Sequence, residues 1–155
     1  MPAVSSVRVL IVEDYLLFRH FICSKLRRNG FQIICEVSNG LEAIRKSAEL
    51  QPDLILLDIG LPGLNGIEVA RQIRRLAPRS RILFVSSESD AEIAQEAVSS
   101  GAWGYVIKDL AESDLPTALE AITAGAHFAS CALGDIQFCS DSNPDSDWPR
   151  FSTCC

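Results

Sequence analysis

The stretch Leu-Ile-Leu-Leu-Asp at residues 54–58 decides the fold predicted for this chain. Its first four residues are all apolar, which is typical of a central parallel strand that helices cover on both faces of the sheet. Parallel neighbours are joined by crossover connections, usually helices, so this strand predicts helices before and after it. Asp58 would then lie at the carboxyl edge of the sheet, where ligands bind in open α/β sheets.

Short apolar runs alternate with amphipathic runs of helical period on both sides of this strand. The predicted strands are residues 7–12, 31–37, 54–57, 82–85 and 104–107, and the predicted helices are residues 15–29, 41–49, 66–76, 91–99 and 113–124. Asn39 and Asp90 are expected to open the second and fourth helices, and Ser113 to cap the fifth, with Pro116 in its first turn. Five such units predict a (βα)5 doubly wound parallel sheet.

Length and composition restrict the class of protein. The chain has 155 residues, of which 48% are hydrophobic and 22% charged, so one globular domain with its own core is expected. The formal net charge of -6 disfavours binding to nucleic acid through the residues present. No apolar run approaches the length of about 18 residues that a membrane span needs, and no signal-peptide pattern begins the chain. These features predict a soluble cytoplasmic protein with no membrane partner.

Composition also divides the chain into three parts. Residues 1–6 form a short N-terminal extension, residues 7–125 hold the five βα units, and residues 126–155 are predicted to be a linker remnant and a disordered acidic tail. The chain contains no glycine-rich phosphate loop and no Gly-x-Gly-x-x-Gly fingerprint. A P-loop nucleotide hydrolase and a dinucleotide enzyme on the same architecture are therefore disfavoured.

Charged and hydroxyl side chains follow the predicted strands at the edge where a ligand would bind. Glu13 and Asp14 follow the first strand, and Asp58, Ser86 and Lys108 follow the third, fourth and fifth. A strand order of 2-1-3-4-5 would bring the three acids together, and a hard cation such as Mg2+ would relieve their repulsion. Taken singly, the first two acids could instead cap a helix, and Asp58 could be a turn residue. Lys108, facing three acids, would be either a structural ion pair or an anion clamp.

Four separated segments resemble those of the response-regulator receiver domain. They read IVED at 11–14, LLDIGLPGLNG at 56–66, VSS at 85–87 and GYVIKD at 104–109, and the resemblance covers about residues 7–125. It implies a flavodoxin-like fold and a two-component signalling role, in which Asp58 accepts a phosphoryl group from a sensor histidine kinase or a phosphotransfer protein. It also implies that Mg2+ is held by Asp14, Asp58 and the backbone carbonyl of Gly60, with Glu13 acting mainly through bound water.

The same resemblance implies roles for the residues around the phosphoryl group. Lys108 would neutralise the phosphoryl oxygens, and Ser86 would donate a hydrogen bond to one of them. Tyr105 would be the rotamer switch that follows Ser86 inward. Gly60 and Glu88, two residues after the acceptor and the serine, would tune the lifetime of the acyl phosphate. Output would pass through the fourth helix, the fifth strand and the fifth helix to a downstream protein or to a second copy of the chain.

Asp109 stands where many receivers carry proline, and this resembles the subgroup whose receivers precede a helix-turn-helix DNA-binding domain. The 22 residues after Leu133 are too few and too polar for such a domain, which leaves a stand-alone receiver and a truncated transcription regulator as alternatives. A third alternative is a small Mg2+-dependent aspartyl phosphohydrolase, although Gly60 stands where such enzymes usually carry a second acid. An inert receiver-like interaction module is the fourth.

Overall fold

Strands and helices alternate along residues 6–139, the part of the chain that the computed structural model describes. The strands are β1 (Arg8–Val12), β2 (Gln32–Val37), β3 (Leu54–Leu57), β4 (Arg81–Ser86), β5 (Gly104–Ile107) and β6 (Phe128–Ala129). The α-helices are α1 (Leu16–Arg28), α2 (Gly40–Leu50), α3 (Gly66–Leu76), α4 (Ala91–Ser99) and α5 (Ala111–Thr123). Two short 3-10 helices, Lys108–Leu110 and Cys131–Leu133, precede α5 and follow β6.

The strands form one sheet in the order β2-β1-β3-β4-β5-β6, and every neighbouring pair is parallel. The predicted order 2-1-3-4-5 and the flavodoxin-like, doubly wound architecture are confirmed, while the sheet is one strand wider than predicted. Val12 and Leu57 are register partners at the carboxyl ends of β1 and β3. The acidic residues that follow these two strands are therefore brought side by side.

Two apolar layers enclose the sheet. The layer on one face joins Ile55 and Leu57 to buried residues of α2, α3 and α4, whereas the layer on the other face joins Leu54 and Leu56 to α1 and α5. All four residues of β3 are buried, as the uninterrupted apolar run predicts. This central strand is thereby fixed from both sides, and so is the position of Asp58 immediately after it.

Two of the predicted helix caps are present, and the third is wrong. The side chains of Asn39 and Asp90 accept hydrogen bonds from backbone N–H groups in the first turns of α2 and α4. The chain already turns in a 3-10 helix directly after β5, so α5 begins at Ala111 without a side-chain cap. Ser113 therefore lies inside α5, where its hydroxyl donates to the carbonyl of Leu110 at 3.2 Å, and Pro116 lies beyond the first turn.

The segment after α5 departs from the predicted linker. Phe128 and Ala129 form β6 beside Gly104 and Tyr105 of β5, and Leu133 is 3% exposed. Gly104 makes room for this pairing, because a Cβ atom there would lie 3.0 Å from the carbonyl oxygen of Phe128. A strand of two residues shows no alternation that a sequence pattern could reveal.

The rest of the predicted tail, residues 140–155, and most of the predicted N-terminal extension, residues 1–5, lie outside the described residues. Within residues 6–139, no helix has both the length and the apolar character required to span a membrane.

Candidate functional site

Three carboxylates meet at the carboxyl edge of the sheet. Glu13 and Asp14 follow β1, Asp58 follows β3, and one oxygen from each lies within 4.8 Å of the others. Glu13 and Asp58 are 1% and 5% exposed, whereas Asp14 is exposed to solvent. The structure thus brings together the three acids that the strand-end pattern predicted, with two of them largely removed from water.

The ammonium group of Lys108 reaches two of these acids from the end of β5. Its Nζ atom lies 3.1 Å from Oδ2 of Asp58 and also donates a hydrogen bond to Oε1 of Glu13. The same Nζ atom lies 4.7 Å from the centre of the Phe18 ring on α1. Lys108 therefore bridges the two buried carboxylates, with an aromatic ring against its charge.

The site holds more negative than positive charge. Burial raises the pKa of Glu13 to about 7, the hydrogen bond from Lys108 opposes this rise, and the charge of Asp58 adds to it. Burial disfavours the ammonium form of Lys108, but the hydrogen bond to Glu13 and the charge of Asp58 outweigh this effect and raise its pKa. The pKa of Glu13 is thus raised mainly by burial, and the pKa of Lys108 is raised by the two carboxylates that it contacts.

A divalent metal ion fits this donor set. Oε2 of Glu13 is buried and has no hydrogen-bond partner within residues 6–139. Leaving a buried charged oxygen without a partner is costly, and a metal ion or a water molecule on it would remove that cost. Clustered carboxylate oxygens are the ligands that Mg2+ takes in proteins. Glu13, Asp14 and Asp58 are therefore suited to hold such an ion.

The backbone after Asp58 is held by a close approach to the start of α3. The N–H of Gly66 donates to the carbonyl of Ile59 at 2.9 Å. A Cβ atom at residue 66 would lie 2.1 Å from the carbonyl oxygen of Asp58 and 2.6 Å from Cα of Ile59, so only glycine fits. The N–H of Gly60 donates to Oδ1 of Asp58 at 3.2 Å, which fixes the carboxylate from the same loop.

Ser86 is the last residue of β4, and Tyr105 lies on the neighbouring strand, β5. Ser86 is 2% exposed, and its hydroxyl accepts a hydrogen bond from the N–H of Glu88 at 3.2 Å. Tyr105 is fully buried, and its hydroxyl donates to the carbonyl of Glu88 at 2.7 Å. Burial raises the pKa of Tyr105 to about 12, so this hydroxyl stays protonated as a donor. Both side chains thus meet on the backbone of Glu88.

The two positions predicted to tune the phosphoryl lifetime lie on separate loops, one after β3 and the other after β4. Gly60 is exposed, and the nearest atom to a Cβ placed on it would be Oδ1 of Asp58, at 4.0 Å. Glu88 is half-buried and its side chain accepts from the N–H of Asp90 at 3.0 Å. The side of Asp58 next to residue 60 is therefore open.

Two residues that contact this site, Phe18 and Gly66, were not predicted to belong to it. Phe18 lies within the predicted first helix, and no pattern in the sequence indicates that its ring meets Lys108. Gly66 was predicted as the start of a helix, and the Asn-Gly pair at 65–66 carries a usable signal. Asn65 caps α3 by accepting from the N–H of Ile67 at 2.7 Å, which leaves the next residue against the strand end.

The chain matches the family model for the response regulator receiver domain over residues 9–120. It belongs to the response-regulator receiver family. Receiver domains of this family are signalling domains of two-component systems. The expected resemblance is confirmed, and the acidic pocket lies inside the matched region.

Individual relatives agree with this assignment. The receiver is 35% identical over 137 residues to a Pseudomonas aeruginosa protein described as a transcriptional regulator, covering 88% of this chain and 66% of that protein. It is 31% identical to the chemotaxis protein CheY of Thermotoga maritima, covering 75% of this chain and 97% of that protein. The chain therefore spans about two thirds of the transcriptional regulator and nearly the whole of CheY.

A solved structure supports the same fold. A two-component response regulator of the LuxR family from Aurantimonas sp. SI85-9A1 superposes on the receiver with a TM-score of 0.78 and 34% identity. The match covers 83% of this chain and 93% of that one.

Proposed function

We propose that this receiver is activated by phosphorylation, with Asp58 accepting a phosphoryl group from a sensor histidine kinase or a phosphotransfer protein. The observation that carries the proposal is the contact between the buried Asp58 carboxylate and the Lys108 ammonium, beside two further acids. Transfer to a carboxylate depends mainly on positioning and on neutralising the phosphoryl oxygens. The pocket offers a fixed nucleophile and a fixed cation for this purpose. We place the protein in the cytoplasm, where such donors are found.

Mg2+ would be held by Asp14, Asp58 and the backbone carbonyl of Gly60, with Glu13 acting mainly through bound water. When bound, the ion supplies charge neutralisation on the phosphoryl oxygens that a single lysine cannot provide alone. The unpartnered Oε2 of Glu13 supports this assignment.

In the proposed transfer, a carboxylate oxygen of Asp58 attacks the phosphorus atom of a phosphohistidine. An O–P bond forms, the P–N bond breaks, and its electron pair returns to the imidazole nitrogen of the donor. Lys108 stays protonated and neutralises charge on the phosphoryl oxygens, while Ser86 donates a hydrogen bond to one of them. The product is a mixed anhydride on Asp58.

Output is proposed to depend on Ser86 and Tyr105. Ser86 and the Tyr105 hydroxyl both contact the backbone of Glu88. A shift of Ser86 towards the phosphoryl group would therefore change the hydrogen bonding of Tyr105. The surface formed by α4, β5 and α5 would then bind a downstream protein or a second copy of the chain. Gly60 and Glu88 would set how readily water reaches the acyl phosphate.

Asp58→Asn tests the proposal directly. With acetyl phosphate and Mg2+, we expect the unmodified protein to gain the mass of one phosphoryl group at Asp58 and the variant to gain none. Asp90→Asn is the matched control, because an asparagine can still cap α4 and the residue lies outside the acidic cluster. Equal labelling of Asp58→Asn and the unmodified protein would contradict the assignment, and steady turnover of a free phosphate ester would favour a phosphohydrolase.

A second candidate is that this receiver forms the regulatory part of a DNA-binding transcription regulator. It is supported by the Pseudomonas aeruginosa relative, of which the chain covers 66%. The coding sequence around and beyond codon 133 tests it, because a helix-turn-helix domain encoded there would favour this candidate. Its absence there would favour a receiver that acts through protein contacts alone.

A further inference from the structure

Residues 127–139, here named the C-terminal strap, lie across the edge of the sheet beside β5 and reach α4. The first contact is β6, in which Ala129 is the register partner of Tyr105. The N–H of Ser130 then donates to the carbonyl oxygen of Tyr105 at 3.0 Å. The strap is therefore hydrogen-bonded to the backbone of the proposed switch residue itself.

The second contact is apolar. Leu133 is 3% exposed and belongs to the same buried cluster as Tyr105 and Phe84, and Ile136 and Phe138 pack against that cluster. The strap thus shares one apolar cluster with the tyrosine ring, and a ring that left this cluster would open a void in it.

The third contact is a buried hydroxyl. Ser130 is fully buried, its Oγ atom accepts from the N–H of Ile107 at 3.1 Å, and it donates to Oδ2 of Asp114 at 2.7 Å. Ile107 immediately precedes Lys108, so the strap also fixes the backbone from which the site lysine extends. Ser130 links β5, α5 and the strap through bonds that water cannot replace while the residue is buried.

The far end of the strap is held by α4. Gln95 donates to the carbonyl of Gln137 at 2.8 Å and accepts from its N–H at 2.9 Å, a reciprocal pair. The ring of His127 lies between Trp103 and Phe138, with ring centres 4.8 Å and 4.5 Å apart. The strap therefore occupies part of the α4 and β5 surface that is proposed to carry output.

We propose that docking of the strap is coupled to the inward position of Tyr105, so that the strap responds to phosphorylation within the same chain. This inference rests on the proposed function for its link to Asp58. In this structure Tyr105 is inward and the strap is docked, so the two arrangements are compatible. A change that favours inward Tyr105 therefore tightens the strap, and loosening the strap weakens that change by the same factor.

The test follows amide hydrogen exchange in peptides from residues 127–139 of the full chain. With beryllofluoride and Mg2+ as the phosphoryl mimic, we expect exchange there to slow by about fivefold, the lower end of typical couplings between sites. Acetyl phosphate labelling of Asp58 is measured in parallel by intact mass. Labelling at Asp58 with unchanged or faster strap exchange under the mimic overturns the inference, whereas absence of labelling overturns the proposed function instead.

Tyr105→Leu tests the coupling without any phosphoryl group. Removing the ring and its hydroxyl should speed exchange in the strap, because it leaves a void in the buried cluster to which Leu133 also belongs. Leu41→Ala is the control, since Leu41 is 72% exposed on α2. Strap exchange as slow in Tyr105→Leu as in the control overturns the inference, whatever happens at Asp58.

Gln95→Ala tests the reciprocal effect with little risk to folding. It removes the side chain that forms two hydrogen bonds with the backbone of Gln137, so we expect faster strap exchange and weaker beryllofluoride binding. Gln72→Ala is the matched control, because Gln72 is a helix-surface glutamine whose side chain bonds Glu68 of its own helix. Beryllofluoride binding that is equal in the two variants, despite a loosened strap in Gln95→Ala, overturns the coupling.

Discussion

Lys108→Ala is expected to lower the free energy of unfolding by about 3 kcal/mol at about pH 8 without divalent cations. The substitution leaves the buried carboxylates of Glu13 and Asp58 close together without the ammonium that now bonds both. Chemical denaturation in the presence of a chelator measures the effect. Arg45→Ala is the control, because Arg45 and its partner Glu42 are 65% and 46% exposed and such a surface pair contributes only about 0.5 kcal/mol. Equal losses in the two variants would contradict the prediction.

The stability lost in Lys108→Ala is expected to depend on pH. Burial already raises the pKa of Glu13 from 4.5 to about 7, and removal of the ammonium raises it further. A folded carboxyl with a raised pKa keeps a proton that the unfolded chain has released, so stability falls as pH rises above the unfolded value. The deficit of Lys108→Ala should therefore be smaller at about pH 5.5 than at about pH 8. A deficit that grows on acidification would show that Glu13 is not the group involved.

The same variant separates metal binding from signalling. The acids that would hold Mg2+ remain in Lys108→Ala, so we expect Mg2+ to bind still and to recover part of the lost stability. Signalling should be lost, because the phosphoryl group would lack its cation on the side of β5. Unchanged output after phosphorylation would refute the role proposed for Lys108.

Gly66→Ala is expected to destabilise the protein by about 3 kcal/mol or more, because a methyl group there must displace backbone. The added Cβ would lie 2.1 Å from the carbonyl oxygen of Asp58, a distance that no side-chain rotation can relieve. The midpoint of denaturant unfolding measures the loss. Gly60→Ala is the matched control on the same loop, since a Cβ there meets no atom closer than 4.0 Å. A stability of Gly66→Ala within about 1 kcal/mol of that control would contradict the packing seen at the start of α3.

Much of the fold could be predicted from the sequence because its signals are local. The uninterrupted apolar run at 54–57 indicates a strand buried on both faces, and α3 and α4 have the predicted bounds because their periodic runs end at clear breakers. The sixth strand could not be predicted, since it has only two residues and depends on pairing with β5. The start of α5 was missed because the chain enters the helix through a 3-10 turn, Lys108–Leu110, and no capping side chain marks the start.

The acidic pocket could be predicted because strand ends in a parallel sheet converge on one edge. Glu13, Asp14, Asp58 and Lys108 needed only the strand order to be brought together, and that order is the one predicted. Phe18 approaches Lys108, and Gly66 approaches Asp58, because of how the helices pack on the sheet. The spacing of residues along the chain does not encode this packing.

The short sixth strand also limits self-association through the edge of the sheet. An outermost strand with free N–H and C=O groups is a template on which another polypeptide can add, as in amyloid growth. On the β2 side, Glu36 is exposed and lies 3.5 Å from Arg19. Charged side chains on this edge strand disfavour the addition of another strand. On the other side, two residues of β6 cover the edge of β5, which is buried throughout. Detaching them would therefore leave an aggregation-prone border on this side of the sheet.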